Sequence, residues 1–135
     1  MADHRTPTML KAGLLLTIII DIVYGVMFLL APTFYFDLAG TNPFDPAIIR
    51  WSGAPLIGLG LGAVWVLQAP QRQRIFVDML VITFFLAALA HTYGFVMNEY
   101  TGQYWVIGMP MVGTWFTAIV LFIGRHQAKE LLQPE

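Results

Sequence analysis

Four long apolar runs, separated by short polar segments, dominate the hydropathy pattern of the chain. They cover roughly residues 9–31, 48–69, 75–97 and 105–124. A bilayer core needs about 20 apolar residues per helix, so each run is long enough to span a membrane. The pattern predicts an all-α protein, an integral membrane four-helix bundle built as one domain over residues 1–135.

Composition supports the membrane class. The chain is 58% hydrophobic and 11% charged, whereas a soluble domain carries about 25% charged residues. The formal net charge is −1 without a basic run, so we expect no nucleic-acid partner. The sequence contains no cysteine, which excludes disulfides, thiolate metal sites and thiol catalysis.

Lysine and arginine positions predict how the spans are oriented. Arg50 lies at the outer edge of the second span, and the other basic residues lie on the opposite side of the membrane: Arg5, Lys11, Arg72, Arg74, Arg125 and Lys129. Cytoplasmic loops carry the excess of Lys and Arg, so both termini are predicted to be cytoplasmic. The first run is too long for the apolar region of a signal peptide and is predicted to be a retained span.

A short sequence pattern occurs twice. "GAPLIG" at 53–58 is matched by "GMPMVG" at 108–113, and "APTFYF" at 31–36 is similar to "AHTYGF" at 90–95. The chain is therefore predicted to consist of two tandem helical hairpins, a 2+2 repeat about an axis along the membrane normal. A proline inside the second helix of each hairpin would bend that helix.

Small residues recur at every fourth position of the second run, at Ala54, Gly58 and Gly62. Membrane helices associate through close packing at such residues. We therefore expect another helix, of this chain or of a partner, to approach this row closely.

Asp21 is the most informative polar residue, because it lies near the middle of the first run. A lone carboxylate at that depth costs several kcal/mol, so we expect it to be protonated, hydrogen-bonded or facing a polar cavity. Thr17 and Tyr24 share its helix face, and Thr83, Thr114 and Thr117 lie at similar depth on later spans. Two interpretations stay open: a hydrogen-bonding residue between helices, or a site for a ligand, substrate or proton.

His91 is the one histidine within a span. A single histidine cannot form a bis-histidine haem site in one chain, and its helix lacks acidic neighbours at metal-ligand spacing, so no metal site is predicted. A direct or water-bridged contact with Asp21 and an interhelical hydrogen bond are both compatible with its position.

Arg50 and Trp51 begin the second span. Arg50 could pair with Asp37 or Asp45, bind a lipid phosphate or other polar head, or extend to the interface. Asp78 follows Arg72 and Arg74 near the start of the third span. It is interpreted as structural, since a helix N-terminus favours an anion.

The runs "FLLAPTFYFDLAG" and "NPFDPAIIRWSGAPLIGLGLGAVWVLQAP" resemble small bacterial four-span membrane proteins of the DoxX-like type. The resemblance implies a multi-pass protein of the bacterial inner membrane in a quinone-linked or redox-accessory setting. This chain has no cysteine and no second intramembrane histidine, so electron transfer would belong to a partner or to a bound cofactor, whose identity the sequence does not give.

The first functional hypothesis is an accessory or binding subunit, either for a hydrophobic molecule such as a quinone, an isoprenoid or another lipid, or for a larger membrane complex. Membrane lipid and a second copy of the chain are further expected partners. The candidate ligand-binding residues are Asp21, Tyr24, Arg50, Trp51, His91 and Thr114.

Two alternatives remain. The first is an intramembrane enzyme of the isomerase or cyclase type, with Asp21 as acid or base and His91 or Tyr24 as its partner. The second is a proton-coupled transporter in which Asp21 carries the proton. Whether the protein is an enzyme is left open.

Overall fold

The computed structural model describes residues 6–40, 45–99 and 102–132, and the regular elements within these ranges are all helices. The α-helices are α1 (Thr8–Leu30), α2 (Phe34–Ala39), α3 (Pro46–Gln68), α4 (Arg74–Val96) and α5 (Tyr104–Gln127), with a 3-10 turn at Pro70–Arg72. Helices α1, α3, α4 and α5 are long and apolar enough to cross a membrane, as in a multi-pass membrane protein. The four long apolar helices predicted from the sequence are confirmed.

Local chemistry fixes several helix ends. The Asp45 side chain accepts a hydrogen bond from the Ala47 backbone N–H at 2.8 Å, and Pro46 occupies the first turn of α3. This is a preferred way to begin a helix, because proline lacks the N–H that would otherwise have no partner there. Helix α2 ends at Gly40, whose φ of 67° is a left-handed conformation that glycine adopts without strain.

Helix α1 lies between α3 and α5 and packs along both of them. Helix α5 also packs along α4, whereas α3 and α4 touch only briefly, which places α1 and α4 diagonally across the bundle. Glycines allow the closest approaches. A Cβ on Gly53 of α3 would lie 2.8 Å from the carbonyl oxygen of Gly25 in α1, so these two backbones are in direct contact.

The apolar core lies toward the end of the bundle where α1 begins and α5 ends, which we call the basic end. Four helices and the turn after α5 contribute to it: Leu10, Leu14, Ala63, Val66, Val77, Leu80, Phe84, Ala118, Leu121, Ala128 and Leu132. Gly124 of α5 packs directly against the α1 backbone at Met9 and Leu10. The first and last helices are thus joined at the basic end.

The short helix α2 crosses the opposite end of the bundle and was not predicted from the sequence. The Tyr35 hydroxyl donates a hydrogen bond to the Val106 carbonyl of α5 at 2.6 Å, and the Gln103 N–H donates to the Ala39 carbonyl at 2.7 Å. Aromatic rings of α1 and α2 meet edge to face, including Tyr24 against Tyr35 at 5.8 Å between centroids. Helix α2 and the aromatic residues around it therefore connect α1 to α5.

The structure does not show the predicted duplication. Pro55 and Pro110 lie inside α3 and α5 as expected. In contrast, residues 31–36 form the turn after α1 and the start of α2, while the matching residues 90–95 lie wholly within α4. A two-fold axis would also make the α1–α5 and α3–α4 contacts equivalent, and the first is far more extensive. The 2+2 repeat stays a prediction.

The row of small residues in α3 has mixed surroundings. Gly62 is buried and packs against the Phe76 ring of α4, in agreement with the expected close approach. Gly58 and Ala54 are exposed, and a Cβ on Gly58 would meet no heavy atom of the described chain within 4 Å. One end of the row therefore packs inside the bundle, and the rest faces outward.

Candidate functional site

The buried polar side chains of the described chain lie on two neighbouring helices, α1 and α5. We call this group the buried polar cluster: Thr17, Asp21, Thr114 and Thr117. Asp21 is 3% exposed and Thr117 is 0% exposed. In α1 the buried residues follow a spacing of three or four, which aligns Thr17 and Asp21 on the one face that the helix turns toward its neighbours.

Glycine contacts define the register of α1 against α5. A Cβ on Gly13 would lie 2.8 Å from Leu121 Cδ2, and a Cβ on Gly113 would lie 3.9 Å from Ile20 Cδ1. The residue numbers fall along α5 as they rise along α1, so the two helices are antiparallel. These contacts lie on either side of the cluster and fix which residues meet between them.

This register places Thr17 opposite Thr117, and Asp21 one turn further along, beside the Gly113–Thr114 segment. On its other side Asp21 lies against α3, because a Cβ on Gly60 would be 3.4 Å from the Asp21 Cβ. Asp21 therefore lies between α3 and α5, away from both ends of α1.

Two threonines of the cluster have hydrogen bonds within their own helices. Thr17 donates to the Gly13 carbonyl at 3.0 Å, and Thr114 donates to the carbonyls of Pro110 and Met111 at 2.8 and 3.0 Å. Such bonds to the preceding turn are the usual way in which a threonine hydroxyl is satisfied inside an apolar helix. These two hydroxyls need no further partner.

The other two members lack partners. Asp21 Oδ2 and Thr117 Oγ1 are buried and form no hydrogen bond with any described residue. Leaving a buried donor or acceptor unpaired costs about 1–3 kcal/mol, and buried polar groups without partners are rare in native proteins. Asp21 Oδ2 thus makes no hydrogen bond to a neighbouring helix of the described chain, and the choice between a hydrogen-bonding residue between helices and a ligand, substrate or proton site stays open.

Tyr24 and Thr114 were proposed from the sequence as site residues together with Asp21. Tyr24 lies close to Asp21 along α1, and Thr114 belongs to the buried polar cluster. Tyr24 is half-buried one turn along α1 from Asp21. Its ring packs on Phe28 and Tyr35, at 5.8 Å between centroids in both cases. Tyr24 thus connects the buried polar cluster to the aromatic rings of Phe28 in α1 and Tyr35 in α2.

Arg50 and Trp51 are not brought to the cluster. Both are exposed at the start of α3, and Trp51 is 83% exposed. Arg50 forms no ion pair with Asp37 or Asp45 among the residues described, and the Asp45 carboxylate caps α3 instead. The pairing considered from the sequence is absent because Asp45 lies at the helix start, where its nearest donor is a backbone N–H.

His91 is half-buried on α4. Helices α1 and α4 lie diagonally across the bundle, and the direct or water-bridged contact with Asp21 considered from the sequence stays a prediction. The neighbouring Thr92 hydroxyl accepts a hydrogen bond from Trp115 Nε1 at 2.8 Å. A side-chain hydrogen bond therefore joins this part of α4 to α5.

Thr117 was not among the predicted ligand-binding residues. Its depth in the sequence matched that of Asp21, but several threonines share that property. Only the register of α1 against α5 places Thr117 opposite Thr17, and only the side-chain contacts show that its hydroxyl lacks a partner.

At the basic end, Asp78 has a stronger partner than the sequence indicated. Arg125 of α5 donates to both carboxylate oxygens, from Nε at 2.7 Å and from Nη2 at 3.3 Å. Arg74 Nε lies 3.8 Å from the same carboxylate. Arg125 is 47 residues from Asp78 along the chain, so this ion pair depends on how α4 packs against α5.

No group of three or more His, Cys, Asp or Glu side chains that could hold a metal ion occurs within the described ranges. Comparison of the chain with protein-family models, curated proteins and solved structures finds no match. The resemblance to the DoxX-like proteins is neither supported nor excluded by these comparisons and stays a prediction.

Proposed function

We propose that this chain is a membrane binding or accessory subunit, and that its buried polar cluster holds the polar end of a hydrophobic molecule. The observation that carries the proposal is the pair of unpartnered polar atoms, Asp21 Oδ2 and Thr117 Oγ1, in the interior of an apolar bundle. Polar residues inside membrane proteins are rare, face the interior of the bundle and commonly mark functional sites.

The chemistry of the two atoms suggests the kind of head group. A carboxyl oxygen of Asp21 accepts a hydrogen bond from a hydroxyl, and the Thr117 hydroxyl donates one to a carbonyl or ether oxygen. A quinone or quinol, an isoprenoid alcohol or a similar lipid offers such oxygens on an otherwise apolar body. Binding would satisfy both protein atoms at once and thereby remove the cost of leaving them unpaired.

The brief contact between α3 and α4 supports a route of entry. Asp21 lies against α3 at Gly60, so a molecule entering from the lipid between α3 and α4 would approach the cluster from inside the bundle. Ligand sites in helix bundles lie between the helices.

The first experiment is native mass spectrometry of the protein purified in mild detergent, with lipid extraction of the same sample. A stoichiometric small molecule of the stated class, or a stoichiometric partner chain, supports the proposal. A homo-oligomer with nothing bound, in a preparation from native membranes, contradicts it.

Asp21→Leu separates a ligand site from a structural role. If the carboxyl serves a ligand, the variant loses the bound molecule, while its free energy of unfolding stays equal or rises because an unpaired buried polar group is gone. If the carboxyl stabilises the fold, the variant unfolds more easily. Unfolding monitored by circular dichroism in mixed micelles, together with the mass of the bound species, distinguishes the two results.

Thr117→Val and Thr17→Val form a matched pair, because both residues are fully buried and lie opposite each other. Thr17 is already bonded to Gly13, so Thr17→Val should leave ligand occupancy unchanged. Thr117→Val removes the unpartnered donor and should lower occupancy about tenfold, the loss expected for one buried hydrogen bond. Equal occupancy in both variants would remove Thr117 from the site.

A further inference from the structure

A second polar region lies at the basic end, between the start of α4 and the end of α5, apart from the buried polar cluster. It contains a partly open cavity of about 210 Å³. The cavity is lined by Arg74, Arg125, Lys129 and Leu132. Three of the four lining side chains are cations, although the chain as a whole has a net charge of −1.

Asp78 holds two of these cations in place. Its carboxylate accepts from Nε and Nη2 of Arg125, and Arg74 Nε lies 3.8 Å away. Nη1 of Arg125 makes no hydrogen bond to the rest of the described chain, and neither does the Lys129 amine. With three cations and one carboxylate, the region keeps two positive charges that the described residues do not neutralise.

We propose that this cavity binds a phosphate ester, and that the phosphate is the head group of an anionic membrane phospholipid. Arginine and lysine side chains that converge on one cavity provide the charge and the hydrogen-bond donors that a phosphate requires. The position favours a lipid as the source, since the cavity lies where two apolar spans end and has Leu132 as its apolar wall. Basic pockets between spanning helices bind anionic head groups in this way.

The test uses the delipidated full-length protein in nanodiscs of phosphatidylcholine with increasing phosphatidylglycerol, and counts retained phospholipid by native mass spectrometry after release. The wild type should retain phosphatidylglycerol in preference to phosphatidylcholine. Lys129→Gln should weaken that preference about fivefold, and Lys129→Gln with Arg125→Gln about 25-fold, at about 1 kcal/mol per cation. Arg72→Gln is the matched control, because it removes an exposed arginine next to Arg74 that does not line the cavity.

The Arg125 variant also breaks the ion pair with Asp78, so folding is checked in parallel. Asp78→Asn combined with Arg125→Gln removes both members of the pair, and its thermal unfolding should match the wild type closely, since both side chains are partly exposed. If the Lys129→Gln, Arg125→Gln variant is folded and still prefers phosphatidylglycerol as the wild type does, the proposal is wrong.

The second part of the test uses soluble phosphate compounds. Inorganic phosphate and glycerol 1-phosphate are titrated into protein in pure phosphatidylcholine nanodiscs. Weak binding of these anions that is lost in the Lys129→Gln, Arg125→Gln variant, together with a preference for phosphatidylglycerol, supports the lipid head group. Tight binding of the soluble esters without any lipid preference overturns the lipid assignment. A loss of preference in the Arg72→Gln control would show that overall charge, not the cavity, selects the lipid.

Discussion

The two Gly-x-Pro-x-x-Gly segments, one in α3 and one in α5, share a sequence pattern and differ in their contacts. In α3 the first glycine, Gly53, touches the α1 backbone at Gly25, and the last, Gly58, has no described neighbour within 4 Å of an added Cβ. In α5 the first glycine, Gly108, has no such neighbour, and Gly113 makes only an ordinary contact at 3.9 Å. The pattern does not determine which glycine packs.

The prolines of the two segments also differ in their surroundings, because only one of the two carbonyls that they leave without a backbone donor has a side-chain donor within the described chain. Pro110 has no N–H to donate to the Val106 carbonyl, and the Tyr35 hydroxyl donates to that carbonyl instead. Pro55 in the same way frees the Trp51 carbonyl, and no side chain from another described element donates to it. The consequence of a proline inside a membrane helix therefore depends on the neighbour that replaces the missing donor.

The largest difference between the segments should appear at their first glycines. Gly53→Ala should destabilise the bundle by roughly 2 kcal/mol, because the added methyl group would meet backbone atoms of α1 that cannot move independently. Gly108→Ala should be neutral or stabilising by up to about 1 kcal/mol, since alanine is the better helix former. The free energy of unfolding in mixed micelles measures both, and equal effects would mean that the two glycines have equivalent surroundings.

Tyr35→Phe tests the hydrogen bond that is particular to α5. It should lower the free energy of unfolding by about 1.5 kcal/mol, because the Val106 carbonyl loses its donor. In a Pro110→Ala background the restored backbone N–H can donate to the Val106 carbonyl. Tyr35→Phe should then lower the free energy of unfolding clearly less than it does in the wild type. A double-mutant cycle measures that coupling. A second cycle, which combines Tyr35→Phe with Pro55→Ala, is the control, and its effects on the free energy of unfolding should be additive.

The smallest effect concerns the prolines themselves. Pro55→Ala should stabilise the bundle by about 1 kcal/mol, because the Trp51 carbonyl regains a backbone partner. Pro110→Ala should stabilise the bundle less, since the Tyr35 hydroxyl already donates to the Val106 carbonyl. A larger gain for Pro110→Ala would contradict the difference drawn between α3 and α5.

The sequence predicted the four spans well, because hydropathy and length determine them without reference to neighbours. Helix α2 was not predicted, since its six residues are too few for a periodic signal and it is held by contacts with α5. The position of α1 between α3 and α5 was also not predictable, because the four runs are too uniformly apolar to show which face of each helix is buried.

The site was predicted in part. The burial of Asp21 follows from its place in an apolar run. Which residues accompany it depends on the order of the helices in the bundle, and Arg50 lies at the exposed start of α3 instead. The partners of Asp78 were likewise predictable only in part. The spacing of four residues along one helix indicates the contact with Arg74, whereas the contact with Arg125 depends on how α4 packs against α5.

The contact between Leu10 and Gly124 has a consequence for how the protein is made. Helices α1 and α3 can pair through Gly25 and Gly53 as soon as the first hairpin has been inserted. The beginning of α1 must wait for the end of α5, which at ribosomal speeds of about 5–20 residues per second takes on the order of ten seconds. During that interval the first turns of α1 are available to lipid or to the insertion machinery, so assembly of the bundle is completed only after α5 has been synthesised.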